Sequence, residues 1–143
     1  MKHIKKFNES VNNYKVSFDF DDCLDKKSVQ KFCKELVDKG VEVWIVTSRP
    51  KNPREFFQSG DFQIWSNEDD LYPIAESIGI PRDRIVFTEH DPKAWWFQNN
   101  SDFIWHLDDN PKEIKLIHQL TDVIPISVLS SNWINKCKKF LNI

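Results

Sequence analysis

From residue 14 onward the chain alternates between two spacings of apolar residues. Tyr14 to Phe20 (YKVSFDF) is a β-rich run that ends in carboxylates. Lys26 to Lys39 then sets Val29, Phe32, Cys33, Leu36 and Val37 at helical spacing, one apolar stripe, and Gly40 follows as the usual helix stop. Val41 to Val46 (VEVWIV) is almost continuously apolar, as expected of a strand buried on both faces of a parallel sheet. A loop containing Pro50 and Pro53 comes next, with DFQIW as a short extra strand. Glu68 to Ile78 predicts a helix ended by Gly79, and Arg84 to Phe87 a short strand. Asp91-Pro92 reads as the cap and first residue of a helix that carries Lys93. Asp102 to Leu107 is the next strand, Asn110-Pro111 opens a helix to about Gln119, Val123 to Val128 is the last strand, and a helix from Asn132 to Leu141 closes the chain.

This alternation predicts the α/β class: a doubly wound, Rossmann-like parallel sheet of about five strands flanked by helices, with no separate cap domain. The 143 residues suffice for one domain, expected over residues 14–143 behind a polar N-terminal segment at 1–13. Ligands of such sheets sit outside the C-terminal ends of the strands. Polar residues collect there. Asp19 and Asp21 end the first strand, Thr47 and Ser48 the second, and Asp108 and Asp109 the fourth long one, while Lys93 opens a helix beside them.

Composition narrows the class without changing it. Eleven Phe and six Trp against three Gly predict a packed globule. A formal net charge of -2 gives no sign of a broad nucleic-acid or membrane surface. No stretch approaches the ~20 apolar residues of a membrane span, and the start of the chain lacks the apolar run of a signal peptide. The expectation is a cytoplasmic protein with no membrane partner. Cys23, Cys33 and Cys137 are unevenly spaced and form no CxxC, so they read as buried thiols.

Asp19, Asp21, Asp22 and Asp25 lie within seven residues, and Asp108-Asp109 should arrive at the same edge. Carboxylates crowded this way raise one another's pKa unless a cation compensates. A hard divalent ion with oxygen ligands is the natural compensation, and Mg²⁺ fits because a few carboxylates, waters and a substrate phosphate complete its octahedron.

These residues carry a resemblance. The run VSFDFDDCL (Val16 to Leu24) resembles the first motif of the haloacid-dehalogenase (HAD) superfamily, a strand followed by Asp-x-Asp-x-Thr-Leu. WIVTS (Trp44 to Ser48) is similar to the second, Lys93 to the third, and HLDDN (His106 to Asn110) to the fourth in its paired-Asp form. The resemblance spans roughly Tyr14 to Val128 and implies a cap-less phosphatase. It assigns Asp19 as the nucleophile that forms an aspartyl-phosphate and Asp21 as the acid and base for leaving group and water. Thr47 would hydrogen-bond a phosphoryl oxygen, and Lys93 would neutralise Asp19 and the transferring group. Mg²⁺ would be held by Asp19, the Asp21 carbonyl and Asp109, with Asp108 behind them or bonding Lys93. Ser48 and Arg49 would bind substrate, Arg49 because related polynucleotide phosphatases carry a similar Ser-x-Arg.

Two features depart from the pattern. Cys23 stands where the family has Thr, and the flap after the first motif is very short. An open site of this kind admits large substrates or is covered by a neighbouring copy of the chain. The expected partner is therefore a phosphorylated metabolite, a nucleotide or a nucleic-acid end. A HAD-like domain that binds a phosphorylated ligand without turnover is the alternative outside catalysis. A response-regulator receiver would place its phosphoacceptor at the end of the third strand, which this chain does not. Phe56, Phe57, Phe62 and Trp65 fall in the segment that would overhang the site, where they are either core or a surface for a base. His90 and His106 flank the motifs as packing or hydrogen-bonding residues.

Overall fold

The central strands are apolar on both faces because helices cover both faces. In a computed structural model, residues 14–58 and 60–143 are described, and the polar segment expected over residues 1–13 lies outside them. The elements run β1 (Lys15–Phe18), α1 (Lys27–Asp38), β2 (Glu42–Thr47), β3 (Arg54–Gln58), β4 (Asp61–Trp65) and α2 (Leu71–Ile78). They continue with β5 (Ile85–Phe87), α3 (Lys93–Gln98), β6 (Phe103–Asp108), α4 (Pro111–Leu120), β7 (Ile124–Ser127) and α5 (Trp133–Leu141). Five strands form one parallel sheet in the order β5-β2-β1-β6-β7, the doubly wound α/β architecture expected from the alternation.

On one face Val16, Phe18, Val43, Ile45, Trp105 and Leu107 pack under α1, α2 and α5. Trp105 is wholly buried there, edge-on to Phe18, and its indole N–H donates to the Cys137 carbonyl at 3.2 Å. On the other face Val46, Phe103, Ala94, Phe97 and Ile117 form a second core under α3 and α4. The pairing of β1 with β6 slips by one residue between Lys15 and Val16, where Phe103 and Trp105 become consecutive partners. The irregularity lets Phe103 and Trp105 serve opposite cores, and beyond it the two strands run in register to Phe18 and Leu107.

Gly40 (φ 89) and Gly79 (φ 101) take the left-handed conformation that ends α1 and α2. Two local expectations need correction. DFQIW does form a strand, but its partner is Arg54–Gln58, which the two prolines disguised as loop. Pro53 lies just outside that strand, so its missing N–H costs the ladder nothing. Asp91 caps nothing. Pro92 takes the N-cap position of α3 with no side-chain bond, and Glu113 of α4 accepts the Lys93 N–H instead, at 3.1 Å.

The β3–β4 hairpin between β2 and α2 is a separate two-stranded sheet, and no cap domain interrupts the described residues. No helix among them is long and apolar enough to cross a membrane. All three cysteines are buried and unpaired, and burial pushes each thiol up.

Candidate functional site

The strand order reverses between β1 and β6, and the crevice at their C-terminal ends is where open α/β sheets bind ligands. Strand pairing itself brings the two carboxylate-bearing segments together. The Asp19 N–H still bonds the Leu107 carbonyl at 2.8 Å, one residue before Asp108 ends β6. After Asp19 the chain closes into a tight turn, in which the Leu24 and Asp25 N–H groups bond back to the Asp19 and Phe20 carbonyls and Asp22 is left-handed (φ 56). The Cys23 thiol donates to the Leu107 carbonyl at 3.6 Å, tying the turn to β6.

Lys93 is the centre of the arrangement. Its side chain is 2% exposed, and its ammonium donates to Asp19 Oδ1 at 2.7 Å and to Asp108 Oδ2 at 2.6 Å. Asp108 is wholly buried and also accepts from His106 Nε2 at 2.7 Å and from the Asn110 N–H at 3.0 Å. Since Asp108 can only accept, His106 carries its proton on Nε2 and its Nδ1 accepts from the Ser17 hydroxyl, 2.8 Å away. Burial holds His106 below its ordinary value, which keeps the ring neutral in this role. Burial works against the Asp108 carboxylate, but its bonds to His106 and Lys93 hold it well below the usual range.

Burial, reinforced by the Asp108 charge, pushes Asp19 up from 3.8 to about 9 against the pull of Lys93. Asp109, half-buried beside it, is also raised, first by burial. Oxygens of Asp19, Asp108 and Asp109 all lie within 4.8 Å of one another, and the Lys93 ammonium bonds the first two. The donors are all carboxylate oxygen, because the Cys23 thiol and both nitrogens of His106 are engaged elsewhere. Such a set fits a hard divalent cation.

The electrostatics give a pH prediction. A folded-state value above the unfolded one means that the folded chain keeps a proton on Asp19 which the unfolded chain releases near pH 4. Stability from this group is therefore full below that pH and falls as pH rises toward 9. Asp108 titrates below this window, Lys93 above it, and His106 acts only up to about pH 6.5. The melting temperature in EDTA should drop between pH 7 and 9, and a divalent cation should flatten the drop. A flat profile without metal would contradict this electrostatic account.

Asp21 is placed differently from Asp19. It lines the same cavity, of about 480 Å³, together with Ser48, His90 and Asp109. Its carboxylate lies outside the three-carboxylate group, and the metal-ligand role expected of Asp21 falls to its backbone carbonyl. Both its oxygens are held by Arg49, Nε to Oδ2 at 2.9 Å and Nη2 to Oδ1 at 2.7 Å. The same guanidinium bonds Asp70 at 2.7 and 2.8 Å and the Asn67 side-chain oxygen at 3.2 Å, and it lies over the rings of Phe20 and Trp65. Arg49 is thus committed to two carboxylates, where the sequence suggested a free substrate ligand.

Thr47 also differs from expectation. It is wholly buried at the end of β2, away from the cavity lining, and its hydroxyl oxygen accepts the Arg49 N–H at 3.3 Å. Ser48 lines the cavity in its place.

Ser17, Asn67, Asp70 and Glu113 were not singled out from sequence, although some left a signal, whereas His106, expected to pack or hydrogen-bond, does hydrogen-bond. Ser17 and His106 each lie two residues before a site aspartate, on the same strand face, as polar residues in buried apolar strands. Glu113 holds the third position of α4, where a capping carboxylate is ordinary, yet it serves the neighbouring helix. Asn67, Trp65 and Asp70 are brought to Arg49 only by the hairpin and by the entry of α2.

No family model matches the chain. Over 66 residues, 44% of the chain, it is 33% identical to the trehalose synthase of Pimelobacter sp. (strain R48). Those residues are 9% of that enzyme's length, so the likeness is to a small part of it.

Proposed function

We propose that this chain is a Mg²⁺-dependent phosphomonoester hydrolase of the HAD type that works through an aspartyl-phosphate on Asp19. The observation that carries the reading is the buried Lys93 ammonium seated between Asp19 and Asp108, with Asp109 beside them at the switch point of the sheet. That arrangement supports a carboxylate held in one geometry and kept next to a fixed positive charge, which is what displacement at phosphorus needs.

With its proton lost to solvent on loading of the site, Asp19 attacks phosphorus, its oxygen–phosphorus bond forms, and the bond to the ester oxygen breaks. Asp21 gives the departing oxygen a proton, then takes one from a water that attacks the phosphorus. The aspartyl bond breaks, inorganic phosphate leaves and Asp19 is regenerated. For Asp21 to hold that proton, one of its two contacts with Arg49 must loosen. Lys93 stays paired with Asp108 throughout, while Asp108 is fixed by His106, whose ring is held in turn by Ser17. Asp19 and Asp109 would hold Mg²⁺, which supplies charge neutralisation for the transferring phosphoryl group.

The Arg49 clamp on Asp21 is also what a domain that binds phosphate without turnover would show. Phosphate release from a panel of phosphomonoesters, with Mg²⁺ and with EDTA, separates the two. The hydrolase reading predicts metal-dependent release, and ligand binding with no release by the Mg²⁺-loaded protein would favour the binder. Asp109→Asn should raise the Mg²⁺ concentration for half-maximal activity by about tenfold or more. An unchanged Mg²⁺ titration would remove Asp109 from the ligand set.

A further inference from the structure

Beside the carboxylate cavity lies a second one, and the β3–β4 hairpin builds it. Residues paired directly across an antiparallel ladder share a face. Arg54 pairs with Trp65 and Phe56 with Gln63, so Arg54, Phe56 and Trp65 stand on one side of the hairpin. That side meets the Ser48–Pro50 turn and His90 around a groove of about 400 Å³. Asp21, Ser48 and His90 line both cavities, which makes the two continuous.

The walls differ in chemistry. The first cavity is carboxylate and ammonium. The second is walled by Phe56, Trp65 and Pro50, with Arg49 behind and Arg54 at its rim. Trp65 is fixed by the Arg49 guanidinium, 5.2 Å from its ring centre. Phe56 remains 37% exposed. Arg54 is mostly exposed and, among the described residues, pairs with Glu89 at 3.6 Å, a loose contact from which its donors can be turned to a ligand. Among the described residues no branched aliphatic side chain lines the groove. Flat rings and guanidinium planes are surfaces on which a planar ring stacks, and they offer an aliphatic chain no branched side chains to pack against.

We propose that this groove is a leaving-group subsite for a planar heteroaromatic ring, so that the substrates are nucleotides whose phosphate sits over Asp19 while the base stacks on Phe56 and Trp65. The proposal rests on the phosphatase reading of the adjoining cavity and extends it to a substrate class. A free mononucleotide and the terminal nucleotide of a nucleic acid present the same chemistry to the groove.

The test is equilibrium binding to the Mg²⁺-loaded Asp19→Asn protein, comparing adenosine 5′-monophosphate with glycerol phosphate. The subsite predicts that the nucleotide binds about tenfold or more tightly, as stacking on aromatic side chains allows. Phe56→Ala in the same background should remove that advantage, and Phe56→Trp should retain it. Equal affinities, or a preference that survives Phe56→Ala, would overturn the subsite. Wild-type turnover separates this result from the parent reading. Release of phosphate without nucleotide preference sinks only the subsite, whereas nucleotide preference without release by the wild type sinks only the hydrolase. A short oligonucleotide with a terminal phosphate distinguishes the sources. Binding tighter than the mononucleotide assigns a nucleic-acid end, equal binding assigns the free nucleotide, and either supports the groove.

Discussion

Asp19→Asn is expected to lower kcat for any phosphomonoester substrate by about 10⁴-fold or more, in line with the loss of a covalent nucleophile. The substitution should do this without unfolding the chain. Asn fills the same space, and Lys93 keeps its 2.6 Å contact with Asp108. It also removes the one carboxylate that burial pushes up to about 9, so the metal-free variant should melt higher than the metal-free wild type at pH 8 to 9. The two readouts move in opposite directions, which separates chemistry from folding. Calorimetry beside the rate assay checks both. Turnover near the wild-type rate would remove Asp19 from the mechanism, and a lower melting temperature at that pH would remove the electrostatic account of the cluster.

Lys93→Met should be the most damaging single change to stability. It leaves Asp19 and Asp108 buried with no cation between them, and breaking one side of a buried ion pair costs about 3–5 kcal/mol. For a domain of this size that is a fall on the order of 10 °C in melting temperature. Lys93→Arg should not rescue it, because a planar guanidinium does not fit where a compact ammonium is 2% exposed between two carboxylates. A companion Asp108→Asn should recover part of the loss by removing the stranded Asp108 charge, because without metal Asp19 keeps its proton at neutral pH. Added Mg²⁺ should recover part of it by another route, through Asp19 and Asp109. Full stability of Lys93→Met without metal would show that the carboxylates are not confronting one another as their positions require.

How much of this was legible in the sequence depends on the range of the force that places each residue. The central strands and the helices α1, α4 and α5 follow from local apolar spacing, and the convergence of Asp19, Asp108 and Lys93 follows from strand order alone. The β3 strand was hidden because REFFQ has no periodicity of its own apart from its partner across Gly60. The two substrate-side expectations, Thr47 and Arg49, depended on side-chain direction at the turn after β2. There Arg49 is drawn to Asp21 and Asp70, residues 28 and 21 positions away. No local signal predicts that pairing. The same holds for Trp65, which reaches Arg49 only because the hairpin meets the turn after β2. The His106–Ser17 bond lies between these cases. Each residue could be placed on the right face by the two-residue period of its strand, but their meeting needed the register of β1 against β6.

The most direct test of the aspartyl-phosphate is a pre-steady-state experiment on Asp21→Asn with p-nitrophenyl phosphate and Mg²⁺, quenched in acid and followed by peptide mass analysis. The p-nitrophenolate leaving group needs no proton, so the first step proceeds, while the second lacks its base and stalls. The account predicts a burst of one p-nitrophenolate per chain and a peptide heavier by one phosphoryl group at Asp19. If wild type turns over steadily while the variant gives neither burst nor phosphorylated Asp19, or carries the phosphoryl group elsewhere, the account is contradicted.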